Sequence, residues 1–400
     1  MSTKDFIRAN SGVQDPFLWN TENDPFYPKE WDTTNVFMFD WRPIKPTNSI
    51  TAPSQVGYWK LPKISDRIAK VRIEADVVAT VTGGTFLRLV DWFGVRCMKK
   101  IDISYNGNLL QTITAKQMYD RMVVEDDEQD VFAAGELAGG NWTQSQREFA
   151  VAGGATFHFM FDLPVFFTVD PSYALQTIAL SNEISIDITM EDLGKIVETD
   201  GTTPVVTYSN VQLSILALHA TPMDRAKTLK SSMMEDGFIF KFVDYVSQQY
   251  QSPANETAPQ IQLTAIRAPV VDLRITRQRD SNINSTTFGN DPNVNELITQ
   301  INLQANGSDV FRNDLGNTIL FYHNRLFHRG PVGVRDYSIS HAIEPDHKIH
   351  STGSLNYGNL NAPTVILLQP AINEVTWIDI CALESNFIQL KGGDIIKIFK

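Results

Sequence analysis

Histidines are the side chains of this chain with the widest capacity for chemistry, and five of its seven lie in one late stretch. They are His323, His328, His341, His347 and His350. Imidazole and carboxylate groups are common metal ligands, and Asp346 precedes His347 directly. A metal site of the cupin type needs His-x-His with a glutamate a few residues later, and no His-x-His occurs here. We therefore expect polar loop histidines and predict no metal site.

Other catalytic patterns are missing from the sequence. It contains no glycine-rich phosphate loop ending in lysine, no Cys-x-x-Cys, no His-Glu-x-x-His and no Gly-x-Ser-x-Gly. The acidic run 125–130, which begins with Glu125, Asp126 and Asp127, lacks the apolar setting that would separate the pKa values of a glycosidase pair. A cation could bind there, but a solvated loop is the favoured interpretation. The sequence predicts no catalytic, cofactor-binding or metal-binding residue, and no enzyme.

Composition describes a globular chain large enough for two cores. The chain has 400 residues, of which 42% are hydrophobic and 20% charged, and a length of this kind suits two domains. Its formal net charge is −12. Since proteins that coat nucleic acid carry a basic surface, we expect no direct nucleic-acid partner.

The cysteines and the N-terminal residues bear on the compartment. Cys97 and Cys381 are the two cysteines, one in each half, and they do not make a disulfide framework. The segment MSTKDFIRANSG at the start has no apolar stretch of signal-peptide length, and no window of about 18 apolar residues suggests a membrane span. These features predict folding in a reducing, intracellular setting.

Several segments show the period-two pattern of half-buried antiparallel strands. In 184–190 the apolar positions alternate with Ser185, Asp187 and Thr189. The segment 71–77 alternates likewise, as does 99–105, which is followed by Asn106-Gly107, a pair typical of a tight hairpin. The segment 114–122 has helical spacing with Thr114 as a possible cap.

The pattern recurs about 200 residues later. VVDLRIT (270–276) matches VRIEADV (71–77), with Val271, Leu273 and Ile275 inward and Asp272, Arg274 and Thr276 outward. INLQANGS (301–308) matches IDISYNGN (101–108), with the Asn-Gly pairs in register. A third match joins Asn182-Glu183 and its strand to Asn373-Glu374 and the Ile-Asp-Ile at 378–380. Repeats at this distance indicate a duplicated domain.

We therefore predict an all-β fold of two tandem eight-stranded jelly rolls, with helices only in loops. The expected division is an N-terminal arm over 1–34, jelly roll 1 over 35–222, a connection over 223–237 and jelly roll 2 over 238–400. In the first jelly roll we expect the strand beginning at Val36 to end at Pro43, and the glycine-rich run 133–155 to form a long surface loop.

Particular segments resemble the double jelly-roll major capsid proteins of large eukaryotic DNA viruses, virophages and polinton-like viruses. GVQDPFL (12–18) is similar to the N-terminal arm of that family. LPVFFTVDPSYALQTIALSNEISIDI (163–188) resembles its Pro-x-x-Phe and Ala-Leu-x-x-Ile-Ala-Leu segment. In the second half INLQANGSDVFRN, DYSISHAIEP and STGSLNYGNL resemble family strands and a Ser-Gly-x-x-Asn-Phe motif. The chain departs from the family at Gly358-Asn359, where the family often has Ser-Arg.

The resemblance implies a homotrimeric, pseudo-hexagonal capsomer that self-assembles into the icosahedral shell of a double-stranded DNA virus, made inside the host cell. Implied partners are neighbouring capsomers, penton and minor capsid proteins and an internal lipid membrane. We expect the arm 1–34 to make contacts beneath the capsomer and between neighbours, and the loops 107–155 and 307–335 to form its outer surface and trimer contacts. Two alternatives remain at this point: a carbohydrate-binding or carbohydrate-cleaving β-sandwich pair, and a jelly-roll metalloenzyme based on the histidines.

Overall fold

A computed structural model gives the fold of the chain. It describes residues 38–125, 128–149, 155–168, 174–220, 222–233, 237–283, 295–312, 326–327, 335, 337–343, 345 and 352–398. The predicted arm 1–34 lies outside these residues, as do four of the five clustered histidines and most of the loop 307–335. No helix among the described residues is long and apolar enough to cross a bilayer.

Eleven strands precede residue 220 in the described chain. They are β1 (Met38–Ile44), β2 (Val56–Leu61), β3 (Arg67–Thr82), β4 (Leu87–Leu89), β5 (Met98–Tyr105), β6 (Asn108–Thr114), β7 (Glu148–Phe149), β8 (Phe157–Asp162), β9 (Ile184–Met190), β10 (Val197–Thr199) and β11 (Thr202–His219). They form two four-stranded sheets, β1-β11-β3-β8 and β2-β9-β5-β6, and a small sheet β10-β4-β7. The two large sheets make up what we name the first unit.

Ten strands follow. They are β12 (Phe238–Ser252), β13 (Gln260–Gln262), β14 (Pro269–Arg279), β15 (Gln300–Ala305), β16 (Ser308–Arg312), β17 (Tyr337–Ser340), β18 (Leu355–Asn356), β19 (Thr364–Leu368), β20 (Thr376–Lys391) and β21 (Asp394–Lys397). One sheet has the order β12-β20-β14-β17, with β18 beside β14 and β21 beside β20. The other has the order β13-β19-β15-β16, and the two sheets make up the second unit.

The two units share one topology. When the eight principal strands of each unit are counted along the chain, one sheet has the order 1-8-3-6 and the other 2-7-4-5. All of these pairings are antiparallel. This is the strand order of a jelly roll, so the predicted fold of two tandem eight-stranded jelly rolls is confirmed.

Topology corrects one of the three sequence matches. The strands at 71–77 and 270–276 are both third in their units, and those at 101–105 and 301–305 are both fourth. The third match is wrong, because β9 after Asn182-Glu183 is the seventh strand whereas β20 after Asn373-Glu374 is the eighth. An Ile-Asp-Ile alternation marks any half-buried strand and does not identify its place in the topology.

Helices occur in the connections between strands, as predicted. The α-helices are Phe93–Arg96, Ala115–Glu125, Glu128–Ala138, Leu193–Ile196, Pro222–Ser232 and Asp280–Ile283, and the 3-10 turns are Gln144–Gln146, Thr177–Ala179 and Tyr357–Asn359. The helix Glu128–Ala138 replaces part of the surface loop expected at 133–155. Its C-terminal end is anchored because Ala138 is buried against Gly94, where a glycine leaves room for close approach.

Two local expectations have different outcomes. The hairpin at Asn106-Gly107 is confirmed, since both residues have positive φ, of 52° and 77°, and Asn306-Gly307 repeats this with 55° and 75°. The strand predicted to end at Pro43 instead continues to Ile44. Proline is tolerated there because β1 is an edge strand, paired among the described strands with β11 alone.

The core of the first unit also contains residues from the strands of the second unit. One apolar cluster fills the second unit, with members from Ile261 to Ala382. The larger cluster fills the first unit but also contains residues of β12, β20 and β21, namely Phe240, Phe242, Ile388, Leu390 and Ile395. The beginning of β12 and the β20–β21 hairpin therefore pack against the first unit, which ties the two units together through buried apolar surface.

Candidate functional site

The residues that suggested chemistry do not form a catalytic or metal centre within the described part of the chain. His341 is the one member of the histidine cluster that is described there, and its Nε2 lies 3.0 Å from the hydroxyl of Tyr357. Among the described residues, no three or more His, Cys, Asp or Glu side chains come together as metal ligands. Cys97 and Cys381 are free and buried. The side chains of 126–130 lie outside the described residues.

The contact between the two units is the feature that the sequence did not reveal. It is made by the helix Ala115–Glu125, which follows β6 of the first unit. Thr114 Oγ1 accepts from the N–H of Gln117, and the side-chain Oε1 of Gln117 accepts from the N–H of Thr114. This reciprocal capping box fixes where the helix starts and confirms the expected cap.

The first turn of that helix reaches the second unit. The ammonium of Lys116 donates to the hydroxyl of Thr276 on β14 and lies 3.0 Å from Oδ2 of Asp379 on β20. The side-chain amide of Gln117 donates to Ser247 on β12 over 3.2 Å. We name this set of five residues the seam.

The electrostatics of the seam favour the ion pair. Burial acts to lower the pKa of Lys116, but the negative charges of Asp379 and Asp120 outweigh it, so that the pKa is raised and the ammonium is retained. The thiol of Cys381 shares this environment. Burial, reinforced by the charge of Asp379, raises its pKa to about 12, so the thiol is neutral and inert at physiological pH.

Strand β14 buries polar residues that the alternating pattern had placed outward. Asp272, Arg274 and Thr276, which the sequence placed outward, are 0%, 6% and 5% exposed, so this face of β14 is buried. Both faces of β14 are covered. Thr276 is covered by Lys116 of the first unit, and Arg274 pairs with Asp272 over 3.2 Å. The polar face of β14 therefore contacts other parts of the protein and not water.

No helix among the described residues is seen to cover the corresponding sheet of the first unit, β1-β11-β3-β8, in this way. On its edge strand β1, Phe39 is 71% exposed and Trp41 41%, and the two side chains lie on the same face of the strand. The guanidinium of Arg72 lies over the ring of Trp41, 4.6 Å from its centroid, and bonds to Asp162 over 2.5 Å. We name this surface the open face. Its exposed aromatic rings beside an ordered arginine are typical of a protein–protein contact.

The β20–β21 hairpin makes a second link between the units. The hydroxyl of Tyr105, at the end of β5, donates to the carbonyl of Gly393 over 2.5 Å, and the N–H of Ser181 donates to the same carbonyl over 2.8 Å. Gly393 has φ of 91°, and a Cβ there would meet Ser181 Oγ at 2.2 Å. The ring of Phe166 packs 6.0 Å from the rings of Phe240 and Phe242.

The outer face of the sheet β2-β9-β5-β6 is polar. Asp102 and Asp187 are directly opposite on β5 and β9. Lys100 lies 2.6 Å from Asp102, which also accepts from Thr112. Partial burial, followed by the charge of Asp102, raises the pKa of Asp187. Two carboxylates held side by side repel one another, so this face stores a small destabilising interaction.

Comparison with known proteins adds a family and a fold. Residues 38–245, which are just over half of the chain, match the family described as major capsid protein N-terminus. No curated protein matches the sequence.

Solved structures of three viral capsid proteins are similar in fold. The Faustovirus major capsid protein has a TM-score of 0.75 at 11% identity, over 98% of this chain and 94% of its own. A chain of the PBCV-1 virus capsid has a TM-score of 0.70 at 14% identity, over 92% and 97%. A chain of the Sputnik virophage has a TM-score of 0.63 at 9% identity, over 90% and 88%. These similarities show a shared double jelly-roll fold along nearly the whole chain.

Proposed function

Because the chain belongs to the major capsid protein family, we propose that three copies of it form a capsomer of pseudo-hexagonal outline. As a major capsid protein it is a structural component of the virion shell and not an enzyme. The trimer and the shell geometry are our inference from the arrangement of its units, and the further partners are inferred from its family.

The observation that carries the proposal is the unequal covering of two equivalent sheets. In the second unit, the sheet β12-β20-β14-β17 has its outer face against the helix Ala115–Glu125 of the first unit, through Lys116. In the first unit, the sheet of the same order, β1-β11-β3-β8, has the open face with Phe39 and Trp41 exposed. A second copy of the chain can cover the open face. Its second unit would lie against the open face in the way that the first unit lies against the second unit within one chain.

Such a contact joins different surfaces of the two partners, so it is head-to-tail. A head-to-tail contact either closes into a ring or continues into a filament. With two similar units per chain, closure after three copies gives six similar units around an axis. Six similar lateral faces suit tiling on a near-hexagonal lattice, as an icosahedral shell of a double-stranded DNA virus requires.

The remaining parts of the proposal concern the wider assembly. We propose the division into an arm 1–34, units 35–222 and 238–400 and a connection 223–237. Neighbouring capsomers, penton and minor capsid proteins and an internal lipid membrane are the proposed partners, with assembly inside the host cell. Each lateral contact is weak, and their number makes the shell stable. A net charge of −12 opposes direct binding of nucleic acid.

Light scattering on the purified full chain tests the proposal. A trimer has three times the chain mass of 45.0 kDa, or 135 kDa. A mass of 135 kDa that persists on dilution supports the capsomer. A monodisperse 45.0 kDa species at high protein concentration would rule it out.

A further inference from the structure

A cleft of about 360 Å³ opens between the two units beside the seam. Its first wall belongs to the first unit and carries four cationic side chains, Arg96, Lys99, Lys116 and Lys195. A volume of this size accommodates a small organic ligand. The cleft lies apart from the open face and plays no part in the proposed assembly.

The cations differ in how firmly they are held. Arg96 is 6% exposed and Lys116 is fixed by Asp379. The side chains of Lys99 and Lys195 are 50% and 33% exposed, and their ammonium groups lie 3.4 Å from Asp192 and 3.8 Å from Glu191. These two contacts are long, so the lysines can turn toward a ligand, because a lysine side chain has a flexible four-carbon stem.

Two carboxylates, Glu191 and Asp379, line the cleft together with the four cations. Asp379 is occupied by Lys116, and Glu191 Oε1 accepts from the N–H of Asp192 over 3.0 Å. The helix Ala115–Glu125 begins at the cleft, which Thr114 and Ala115 line, so the positive end of its dipole is directed there. Cations and helix dipole together favour an anion, in a chain whose overall charge is negative.

The second wall belongs to the second unit and is uncharged apart from Asp379, which is paired with Lys116. It carries the side-chain amides of Gln249 and Gln278, the hydroxyl of Ser247 and the indole of Trp377. The indole N–H of Trp377 donates to Asp280 over 2.6 Å, which fixes the orientation of the ring. An oriented aromatic face beside amide groups suits a planar heterocycle that stacks and accepts hydrogen bonds.

We propose that the cleft binds a small molecule that carries a phosphate chain, with the phosphates held between Lys99, Lys195 and the start of the helix Ala115–Glu125. A nucleoside diphosphate would place its base against Trp377, whereas an inorganic polyphosphate would use the cationic wall alone. A nucleoside diphosphate would contact both units, whereas an inorganic polyphosphate would contact the first unit, and either ligand stabilises the folded state by binding to it. The proposal does not depend on the proposed function, since it concerns one chain.

Calorimetry and thermal unfolding of the full chain, with pyrophosphate, adenosine diphosphate or adenosine added, test this site. We expect the two phosphate ligands to bind and to raise the melting temperature, and adenosine to do neither. If adenosine diphosphate binds at least about tenfold more tightly than pyrophosphate, the cleft is a nucleotide site. If the two ligands bind with equal affinity, the cleft is a polyphosphate site. No binding of either phosphate ligand at about 5 mM would overturn the proposal, as would adenosine binding as tightly as its diphosphate.

A pair of double variants separates the site from general surface charge. Lys99→Ala with Lys195→Ala removes the two movable cations of the cleft, and we expect phosphate affinity to fall at least about tenfold with the melting temperature of the free protein little changed. Lys60→Ala with Lys391→Ala removes two exposed lysines elsewhere and serves as the matched control. Equal losses of phosphate affinity in the two double variants would show that the phosphate ligands bind non-specifically to surface charge and would overturn the proposal.

Discussion

Lys116 of the first unit and Asp379 of the second form an ion pair across the seam, with 3.0 Å between Nζ and Oδ2. The side chains are 26% and 12% exposed, and Oδ1 of Asp379 is buried with no hydrogen-bond partner. Removing one member of such a pair leaves the other poorly solvated, which costs more than the pair itself contributes.

The first prediction concerns this pair. We expect Lys116→Met, which keeps the aliphatic stem, to lower the free energy of unfolding by about 1–3 kcal/mol. The combination with Asp379→Leu should recover part of the loss, because no buried charge is then left alone. Denaturant unfolding measures both. Arg312→Met, which removes an exposed partner of Asp309, is the control and should change stability by less than about 0.5 kcal/mol. A double variant that loses the full sum of two single losses would contradict coupling.

The second prediction concerns the open face. Phe39→Glu with Trp41→Glu places two charges where we expect a second copy to pack. We expect these variants to fold but to remain monomeric, because an unpaired charge is costly to bury in an interface. Leu109→Glu is the matched control, since Leu109 is 58% exposed on a different sheet. Sedimentation should show a monomer for the first variant and the native mass for the control. If the double variant still forms a trimer, the open face is not part of the interface between copies.

The third prediction concerns the link between Tyr105 and the β20–β21 hairpin. Tyr105→Phe deletes the hydroxyl that donates to the carbonyl of Gly393. We expect a loss of about 1–2 kcal/mol, because the interaction is buried and bridges the two units. Tyr58→Phe removes a hydroxyl from a side chain that is 47% exposed and should have little effect. Equal melting temperatures for the two variants would mean that the hydroxyl of Tyr105 contributes nothing to holding the hairpin.

The fourth prediction concerns pH. The folded-state pKa of Asp187 is raised, so the native state binds this proton more tightly than the unfolded state does, and stability falls as the pH rises from the ordinary carboxyl range through the raised value. Asp187→Asn should therefore stabilise the protein at pH 7 by about 0.5 kcal/mol and have almost no effect near pH 3. Melting curves at both pH values measure the difference.

Asp309 provides a control of opposite sign. Hydrogen bonds from Gln304 and Asn302 lower its pKa, so its ionised form is favoured in the folded state. Asp309→Asn should lower stability at neutral pH and lose this effect as the pH falls below the carboxyl range. Destabilisation by Asp187→Asn at pH 7 would contradict the repulsion that we infer between Asp187 and Asp102.

The sequence predicts features that depend on neighbouring residues better than contacts between residues that are far apart in the chain. The alternation around Ile101 and Ile103 and the Asn106-Gly107 pair are local, and each gave the correct strand or turn. The seam was not predicted, because Lys116 and Thr276 are 160 residues apart and no local pattern links the helix of one to the strand of the other. The polar alternation in 270–276 gave the strand but not the burial of its outer face, since alternation shows two different faces without showing what each one contacts.

Electron microscopy of the purified full chain is the direct test of the trimeric capsomer. We expect three-fold symmetric particles with a hexagonal outline and six lobes, in which the open face of each first unit meets the second unit of the next chain. Separate two-lobed particles, or rings with a number of chains other than three, would rule out the trimeric capsomer.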